Sequence, residues 1–356
     1  HTLGLAAALL VTAGMSQIAL AGDSVYVNTS SLRYRTSAQI KDNNIAGNLS
    51  YGQKLERVGT SGQWTMILLN GKKYYVSSAY VTSKKPASAG AVQTTSQTAA
   101  GAQTSGGTAI ALSSNYKYAN YSKINSGTAT LYRSTASNKK NKVVCVNAGH
   151  GTNGGGSVKT QCHPDGSAKV TGGTTGAGAT SAVAVSSGMT FADGTAESKV
   201  TLAMAKVLKT KLLNAGYDVL MIRESDDVQL DNIARTVIAN NNADCHIALH
   251  WDSTSSNKGA FFMSVPSNAT YRAMEPVASH WKQHNQLGES LISGLKSAGV
   301  KIYSKGSMEM DLTQTSYSTI PSVDIELGDK ASDHSGATLE TLANGLLTGV
   351  NTFFGQ

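Results

Sequence analysis

The sequence has little cysteine, proline or charge. Its 356 residues include three cysteines and five prolines, and charged residues make up 15 % of the chain. Three cysteines are too few for a scaffold cross-linked by several disulfide bonds, so the hydrophobic core must supply the stability. Zinc-finger spacing, an Arg-rich helix and an aromatic RNA-binding signature are also lacking, which argues against a nucleic acid partner. The length suggests two domains, or one large domain with appendages.

The three cysteines are expected to be structural. Cys145 and Cys245 lie in apolar, strand-like runs, where buried and inert thiols are common. Cys162 precedes His163 in a loop rich in Gly and Ser. For this pair, an exposed thiol or a weak metal contact stays open as the alternative.

An uncharged apolar run lies at the start of the chain. Residues 3–21 end in Ala19-Leu20-Ala21, the small-x-small sequence typical of a signal peptidase site. We interpret residues 1–21 as a secretion signal and expect a secreted or cell-wall protein. A membrane anchor is the alternative, but the run lies near the lower length limit for a span. No later run is long and apolar enough to cross a bilayer, so no stable span is expected after signal removal.

Residues 22–85 hold most of the net positive charge. This segment has nine Lys and Arg residues against three Asp and Glu residues, a net charge of +6 out of +8 for the whole chain. Five short alternating runs, separated by Asn, Gly and Ser, predict a small β-barrel. A basic surface favours an anionic partner, and the anionic polymers of a bacterial wall fit it.

The motifs of this segment resemble those of bacterial SH3 domains. The segment contains residues 32–36 (LRYRT), residues 45–52 (IAGNLSYG) and Trp64, and it closes with residues 71–81 (GKKYYVSSAYV). The resemblance implies an SH3-like barrel that binds the cell wall. Trp64 and Tyr75 are equally compatible with a place in the barrel core.

Residues 86–140 are predicted to be a flexible linker. Much of this segment is Ala, Gly, Ser and Thr, and few large apolar residues are present to offset the entropy of ordering. From residue 141 to residue 356 strands alternate with helices, which predicts a three-layer α/β domain with a mainly parallel central sheet. The predicted strands are 143–147, 217–222, 244–250, 259–265 and 322–327, and the predicted helices are 197–214, 230–240, 284–297 and 337–353.

Four candidate functional residues fall where ligands commonly bind. In open parallel sheets, ligands bind at the carboxyl ends of the strands. His150 follows the strand at 143–147, His250 ends the strand at 244–250, and Glu326 lies near the end of the last strand. Glu197 opens a helix for which Thr195 is the predicted N-cap.

The chemistry of these residue types suits a hydrolytic metal site. Two imidazoles and one carboxylate around zinc leave a fourth position for water, as in catalytic zinc sites. Zinc polarises a carbonyl and lowers the pKa of bound water toward about 7. A second carboxylate, not bound to the metal, can accept the proton of the water and return it to a departing amine.

The motifs around these residues resemble, in the same order, those of zinc-dependent N-acetylmuramoyl-L-alanine amidases of the amidase-3 type. That pattern begins V-I-D-x-G-H-G-G, continues with a Glu that opens a helix and then L-x-x-R-x-x-x-A-N-x-x-x-A-D-x-x-I-S-I-H-A-N, and ends P-A-V-L-x-E-x-G-F. The matching stretches are residues 143–151, 197–208, 230–250 and 321–328. The resemblance implies that His150, Glu197 and His250 bind one zinc ion per chain. It also implies that Glu326 is the general acid and base.

The chain departs from this pattern near the site. Asn147 stands where the first motif has Asp, and Trp251 follows the second histidine where the pattern has a small residue. Glu197 comes 47 positions after the first histidine, an interval that includes an insertion at residues 152–193. We expect this insertion beside the metal, as a wall or lid of the substrate cleft.

Three other histidines and one arginine are assigned to the scaffold. His246 shares strand parity with His250 and is expected in the core or behind the site. His280 and His284 are spaced like two ligands on one helix face, but no Glu-x-x-His signature accompanies them, so a solvated face is expected. Arg235 is expected to pair with a carboxylate or to cap a strand end.

We therefore expect a secreted peptidoglycan hydrolase that cleaves the amide bond between N-acetylmuramic acid and L-alanine with zinc-activated water. Its expected partners are peptidoglycan and anionic wall polymers, and no nucleic acid. Two alternatives stay open: a zinc peptidase of the stem peptide, and a non-catalytic wall-binding protein with a degenerate amidase domain.

Overall fold

The computed structural model describes residues 23–28, 31–39, 41–50, 52–85 and 106–356. The predicted secretion signal, residues 1–21, lies outside the described residues, as does the first part of the predicted linker. Contacts divide the chain into two units, His1–Thr98 and Ala99–Gln356. Within the described ranges, no helix has the length and apolar character needed to cross a bilayer.

The first unit contains an antiparallel sheet of seven strands. Its core is formed by alternating apolar residues such as Val25, Val27 and Ile67, each at most 2 % exposed. Trp64 and Tyr75 are half-buried. The strands are β1 (Asp23–Val27), β2 (Ser31–Arg35), β3 (Ile45–Ser50), β4 (Lys54–Ser61), β5 (Trp64–Leu69), β6 (Lys72–Ser77) and β7 (Val81–Thr82). They pair in the order β3-β2-β6-β5-β4-β1-β7, so two further strands, β3 and β7, join the five that the sequence predicts.

The second unit alternates strands and helices. Its first helix has the predicted bounds, and the other predicted elements are present with shifted ends. The elements are β8 (Thr108–Ala111), β9 (Thr128–Tyr132), β10 (Val143–Ala148), β11 (Lys159–Gln161), β12 (Ser181–Val183), α1 (Glu197–Asn214), β13 (Asp218–Met221), α2 (Asn232–Asn242), β14 (Cys245–Asp252), β15 (Ala260–Ser264), α3 (Ala269–Ala273), α4 (Val277–Ser297), β16 (Ile302–Glu309), α5 (Thr313–Tyr317), β17 (Ser322–Asp329) and α6 (Gly336–Phe354).

The central sheet of this unit is mixed: four of its seven strand pairings are parallel, and three are antiparallel, so the predicted mainly parallel sheet also contains antiparallel strands. Its eight strands lie in the order β16-β15-β17-β14-β10-β13-β9-β8. The four central strands β17, β14, β10 and β13 are parallel to one another. Toward the edges, β15 pairs antiparallel with β17, β9 with β13, and β8 with β9. The buried parallel strands carry the continuous apolar runs that the sequence pattern detects, whereas β8 and β9 do not.

The prediction that residues 86–140 form a flexible linker is corrected by two edge strands, β8 and β9, which lie within this segment. Strand β9 pairs with β13 through the register Leu220↔Leu131, and Ala129 is fully buried. Small residues suffice here, since the backbone hydrogen bonds of the neighbouring strand satisfy the main chain. The described part of this segment, residues 106–140, therefore belongs to the α/β unit.

Helices cover both faces of the sheet. Helices α1, α4 and α6 pack on one face, where Val146, Ile247 and Ile325 of the central strands are at most 1 % exposed. Helix α2 packs on the other face against Cys145 and Leu220. This arrangement is the predicted three-layer architecture.

His284 is buried, which corrects the predicted solvated helix face. Its helix begins earlier than predicted, at Val277, and packs against the sheet. The backbone N–H of Ser322 donates to Nδ1 of His284 at 3.0 Å. Burial lowers the pKa of His284 to about 3, so the neutral ring is part of the core.

The insertion is anchored to the sheet by one buried carboxylate, Asp311. Its oxygens accept hydrogen bonds from Nε2 of His163 at 3.0 Å and from the backbone N–H of Val170 at 2.7 Å. Lys169 forms an ion pair with it, Nζ to Oδ1, at 3.1 Å. Neighbouring Cys162 is 1 % exposed, so the alternative of an exposed thiol is wrong.

We expect Asp311→Asn to destabilise the second unit by about 3–5 kcal/mol at pH 7, because it leaves the Lys169 ammonium buried without its carboxylate. Burial would raise the pKa of Asp311, but hydrogen bonds, first from His163, outweigh it and hold that pKa well below its ordinary value. The stabilisation is therefore complete above the unfolded-state pKa of about 3.9. It declines as the pH falls from there toward the lowered folded-state pKa.

Urea unfolding followed by the helical circular dichroism signal checks this expectation, since every α-helix in the described residues belongs to the second unit. The destabilisation should be smaller at pH 3 than at pH 7. Asp226→Asn, which removes an exposed partner of Lys199, is the control and should change the stability by less than about 1 kcal/mol. Equal destabilisation by the two variants would contradict the role of Asp311 as an anchor.

Candidate metal centre

The structure brings His150, Glu197 and His250 together at one end of the sheet. His150 follows β10, His250 lies on the neighbouring strand β14, and Glu197 is the first residue of α1. Nε2 of His150 lies 2.9 Å from Oε1 of Glu197 and 3.0 Å from Nδ1 of His250. Nδ1 of His250 lies 3.2 Å from the same Oε1. One donor atom from each residue thus faces a common point.

Glu197 is held as a carboxylate by its surroundings. It is 3 % exposed, and its two oxygens accept backbone hydrogen bonds, Oε1 from Trp251 at 3.0 Å and Oε2 from Met189 at 2.9 Å. Burial would raise the pKa of Glu197, but the adjacent imidazole rings of His150 and His250 outweigh it and hold that pKa well below its ordinary value. The N-cap of α1 is Ala196, without a side-chain cap, so the prediction of Thr195 as the cap is wrong.

The ring orientation of His150 leaves one nitrogen free for a ligand. Nδ1 lies 2.8 Å from the carbonyl oxygen of Ser186. A carbonyl oxygen can only accept, so Nδ1 carries the proton and Nε2 presents its lone pair to Glu197 and His250. His150 itself has φ 63°, a left-handed conformation that a non-glycine residue adopts only when its surroundings enforce it.

Two buried guanidinium groups enforce that conformation. Arg235 donates through Nη2 to the carbonyl oxygen of His150 at 2.8 Å and through Nη1 to that of Ala148 at 3.2 Å. Arg223 donates through Nη2 to the carbonyl oxygen of Gly149 at 2.8 Å. The arginines therefore satisfy the carbonyl groups of the turn after β10. Arg235 caps a strand end, one of the two roles expected for it.

The donor set fits a divalent metal ion of the zinc type. The three donor atoms lie within 4.8 Å of one another, and imidazole and carboxylate are ligands that zinc accepts. Zinc bonds to nitrogen and oxygen are about 2.0–2.2 Å long, so donors that share one ion lie roughly 3–3.5 Å apart. The separations of 3.0 and 3.2 Å fit that range, and the separation of 2.9 Å lies just below it.

Two further carboxyl groups face the same cavity from β17. Glu326 is 8 % exposed, and Asp324 precedes it by two positions, so the two side chains share a face of the strand. Oδ1 of Asp324 and Oε2 of Glu326 are buried, and no described residue hydrogen-bonds either atom. Burial, and next Asp324, raise the pKa of Glu326 well above its ordinary value.

The cavity has a volume of about 530 Å³ and is walled on one side by the insertion. Lys169, residues 173–175 and residues 185–189 line it, as does Glu326. Gly188 packs so closely that a Cβ there would lie 2.7 Å from Cδ2 of His150. The insertion therefore lies beside the three donors, as expected from the sequence.

His246 lies behind the site, as expected, and is separate from the donor group. Its Nε2 lies 3.1 Å from Nδ2 of Asn147, whose Oδ1 accepts from Nη1 of Arg235 at 3.1 Å. Burial lowers the pKa of His246 to about 3. Asn147, the departure from the first motif, thus links the buried histidine to the arginine that holds the turn.

Arg223 and Asp324 are site residues that the sequence reasoning missed. Arg223 comes two positions after β13, which pairs with β10, so its place at a strand end was the available signal. Asp324 is a carboxylate within an apolar strand, two positions before Glu326. Residues two positions apart on a strand point to the same face, so its spacing from Glu326 was the signal that could have identified it.

The comparison with protein families and the comparison with solved structures both find N-acetylmuramoyl-L-alanine amidases. The family model described as N-acetylmuramoyl-L-alanine amidase matches residues 144–343. Among solved structures, the N-acetylmuramyl-L-alanine amidase Ami1 from Mycobacterium smegmatis is 18 % identical with a TM-score of 0.50, covering 62 % of this chain and 99 % of that chain. At this identity, the likeness shows a shared fold. Ami1 from Mycobacterium abscessus is 19 % identical with a TM-score of 0.47, covering 60 % and 98 %. No curated protein matches the chain significantly.

We expect Gly149→Ala to weaken the binding of a divalent metal ion by about tenfold or more, the loss typical of disturbing the groups that orient a metal ligand. A Cβ at this position would lie 2.2 Å from Cε1 and 2.5 Å from Nε2 of His250, so the ring would have to move. Titration with Zn²⁺ in competition with a chromophoric chelator measures the effect.

The matched control is Gly156→Ala, since no heavy atom lies within 4 Å of a Cβ built there. This variant should bind the metal like the unmodified protein. If Gly149→Ala also retained full affinity, the donor group at His250 would not be the place where the metal binds.

Proposed function

The chain belongs to the N-acetylmuramoyl-L-alanine amidase family, and from this premise we propose that His150, Glu197 and His250 hold the zinc ion with which it works. The enzyme hydrolyses the amide bond between N-acetylmuramic acid and L-alanine in peptidoglycan. Family membership favours this activity over the two alternatives, a stem-peptide peptidase and a non-catalytic binding protein. The convergence of three donor atoms at 2.9–3.2 Å is the observation that carries the proposed ligand set.

When bound, zinc supplies a Lewis acid that polarises the amide carbonyl and lowers the pKa of water. Glu326, which lines the cavity, accepts a proton from the attacking water. The same carboxyl then donates the proton to the nitrogen of L-alanine as the carbon–nitrogen bond breaks. Burial and Asp324 raise the pKa of Glu326, which makes its carboxylate a stronger base for the first of these two steps.

The cavity suits a substrate with polar and apolar parts. Its lining combines the hydroxyl groups of Thr174, Thr175 and Ser187 with the apolar side chains of Met263 and Met310. A stem peptide and its sugar attachment present both kinds of surface. We assign the wall formed by the insertion to substrate positioning at the scissile amide.

For the first unit we propose an SH3-like domain that binds the cell wall. Lys54, Lys72 and Lys73 are exposed on its strands, and Tyr34 and Tyr74 form an edge-to-face pair with ring centroids 4.9 Å apart. Exposed cations attract anionic wall polymers. Secretion through the signal at residues 1–21 would place the enzyme where this substrate lies.

We expect Glu326→Gln to lower turnover on purified peptidoglycan by about 10²–10⁴-fold, because the amide cannot carry the proton. The zinc content should stay near one per chain, since Glu326 is not among the three donors. Mass spectrometry of the products from the unmodified enzyme should detect intact stem peptides that begin with L-alanine, and chelation of zinc should abolish their release.

The control for this substitution is Glu340→Gln, which changes an exposed carboxylate of α6 that pairs with Lys211 of α1 and should leave turnover unchanged. Wild-type turnover by Glu326→Gln would refute its role as acid and base. Products cut within the stem peptide would refute the amidase activity.

We expect Lys72→Gln with Lys73→Gln, in the full chain, to weaken binding to intact sacculi at low salt. Turnover on small soluble fragments should not change. The loss should shrink at high salt, because exposed charges are screened beyond roughly 10 Å at 0.1 M ionic strength. A pull-down with sacculi measures it, and Lys206→Gln with Lys296→Gln, two exposed positions of the second unit, is the charge-matched control. Equal losses in both pairs would contradict a binding role for the first unit.

A further inference from the structure

Asp324 is a carboxylate in a place that normally holds an apolar residue. It lies within the buried strand β17, at the position where the P-A-V-L-x-E-x-G-F pattern has Leu. Its side chain is 15 % exposed, and its Oδ1 has no hydrogen-bond partner among the residues that the structure describes. Burying a carboxyl group in this way costs free energy unless the group has a specific partner.

The partner of Asp324 is His250. Oδ2 of Asp324 lies 3.5 Å from Nε2 of His250. The opposite ring nitrogen, Nδ1, faces Nε2 of His150 and Oε1 of Glu197. The imidazole of His250 therefore stands between Asp324 and the three-donor centre, with one nitrogen turned toward each.

The two histidines of the centre are supported in the same manner. The ring nitrogen of His150 that faces away from the centre lies 2.8 Å from the carbonyl oxygen of Ser186. The corresponding nitrogen of His250 faces the carboxylate of Asp324. A carbonyl oxygen accepts from an imidazole N–H, and an ionised carboxylate does the same, which places the proton on the outer nitrogen and the lone pair on the inner one. Metal-binding histidines generally have such an acceptor behind them.

We propose that Asp324 is a positioning residue that orients His250 and fixes its tautomer for metal binding. This inference rests on the zinc site of the proposed function. An acceptor behind a metal-bound imidazole raises the basicity of the ligand and holds its plane. Asp324 acts on the metal through the ring, so it is not itself a ligand, and the three donors remain His150, Glu197 and His250.

The test compares Asp324→Asn and Asp324→Leu in the full chain by their affinity for Zn²⁺, measured by chelator competition. Loss of an outer partner typically costs 10–100-fold in metal affinity. We expect about tenfold weaker binding for Asn, whose carbonyl oxygen can still accept from Nε2, and about 100-fold for Leu. Asp324→Leu should unfold at the same or a higher urea concentration than the unmodified chain, because it replaces a buried carboxyl with an apolar group.

The matched control is Asp252→Asn, which removes one negative charge from the same cavity. Asp252 pairs with Lys258 and with Thr254 instead of His250, so its variant should keep full affinity. An equal loss in Asp252→Asn would show that charge alone matters and would overturn the proposal. Unchanged affinity in both Asp324 variants would overturn it as well.

Two measurements separate this inference from the zinc site on which it rests. If the unmodified chain bound no Zn²⁺, both the site and the inference would fall, whereas normal binding by all variants would remove only the role of Asp324. The visible absorption of the Co²⁺-substituted protein adds a second readout. Its bands should keep their shape and intensity in Asp324→Asn, and a changed spectrum would mean that Asp324 is itself a ligand.

Discussion

The site depends on one constraint, the fixed turn that follows β10. Three carbonyl groups of this turn, those of Ala148, Gly149 and His150, accept hydrogen bonds from the buried side chains of Arg223 and Arg235. The turn holds His150 in a left-handed conformation and leaves, at Gly149, the space that the ring of His250 fills. Without this turn, two imidazoles could not approach within 3.0 Å of each other.

The groups that hold the three donors close together do not themselves touch the reacting atoms. Two imidazoles and a carboxylate are held close together, with Ser186 behind one ring and Asp324 behind the other. The backbone N–H groups of Trp251 and Met189 hold the carboxylate of Glu197. Such outer partners fix tautomer and direction before a metal arrives, which reduces the reorganisation needed on binding.

The positions of the candidate residues were predictable because they follow from topology. Parallel strands bring their carboxyl ends to one edge of a sheet, so His150 and His250 had to lie near each other once their strands were recognised. Glu197 was predicted from its place at the start of a helix with clear apolar periodicity. The edge strands β8 and β9 and the burial of His284 were not predictable in this way. Both depend on neighbours distant in sequence, the backbone of β13 and the N–H group of Ser322.

Sequence patterns also did not predict which buried polar side chains pair with each other. Asp311 pairs with His163 and Lys169 across more than 140 positions, and periodicity carries no information about such pairs. Asp324 looks like an isolated interruption of an apolar strand until the ring of His250 is placed beside it. Their roles follow from the rule that a buried charge needs a partner. The rule can be applied only when the structure shows which charges are buried and what lies beside them.

X-ray absorption at the zinc edge of the protein, purified without chelators, tests the central claim most directly. We expect one zinc ion per chain, bound only by nitrogen and oxygen at about 2.0–2.2 Å, with outer-shell scattering from two imidazole rings. Absence of zinc, a sulfur ligand at about 2.3 Å, or scattering from fewer than two imidazoles would contradict the assignment of His150, Glu197 and His250.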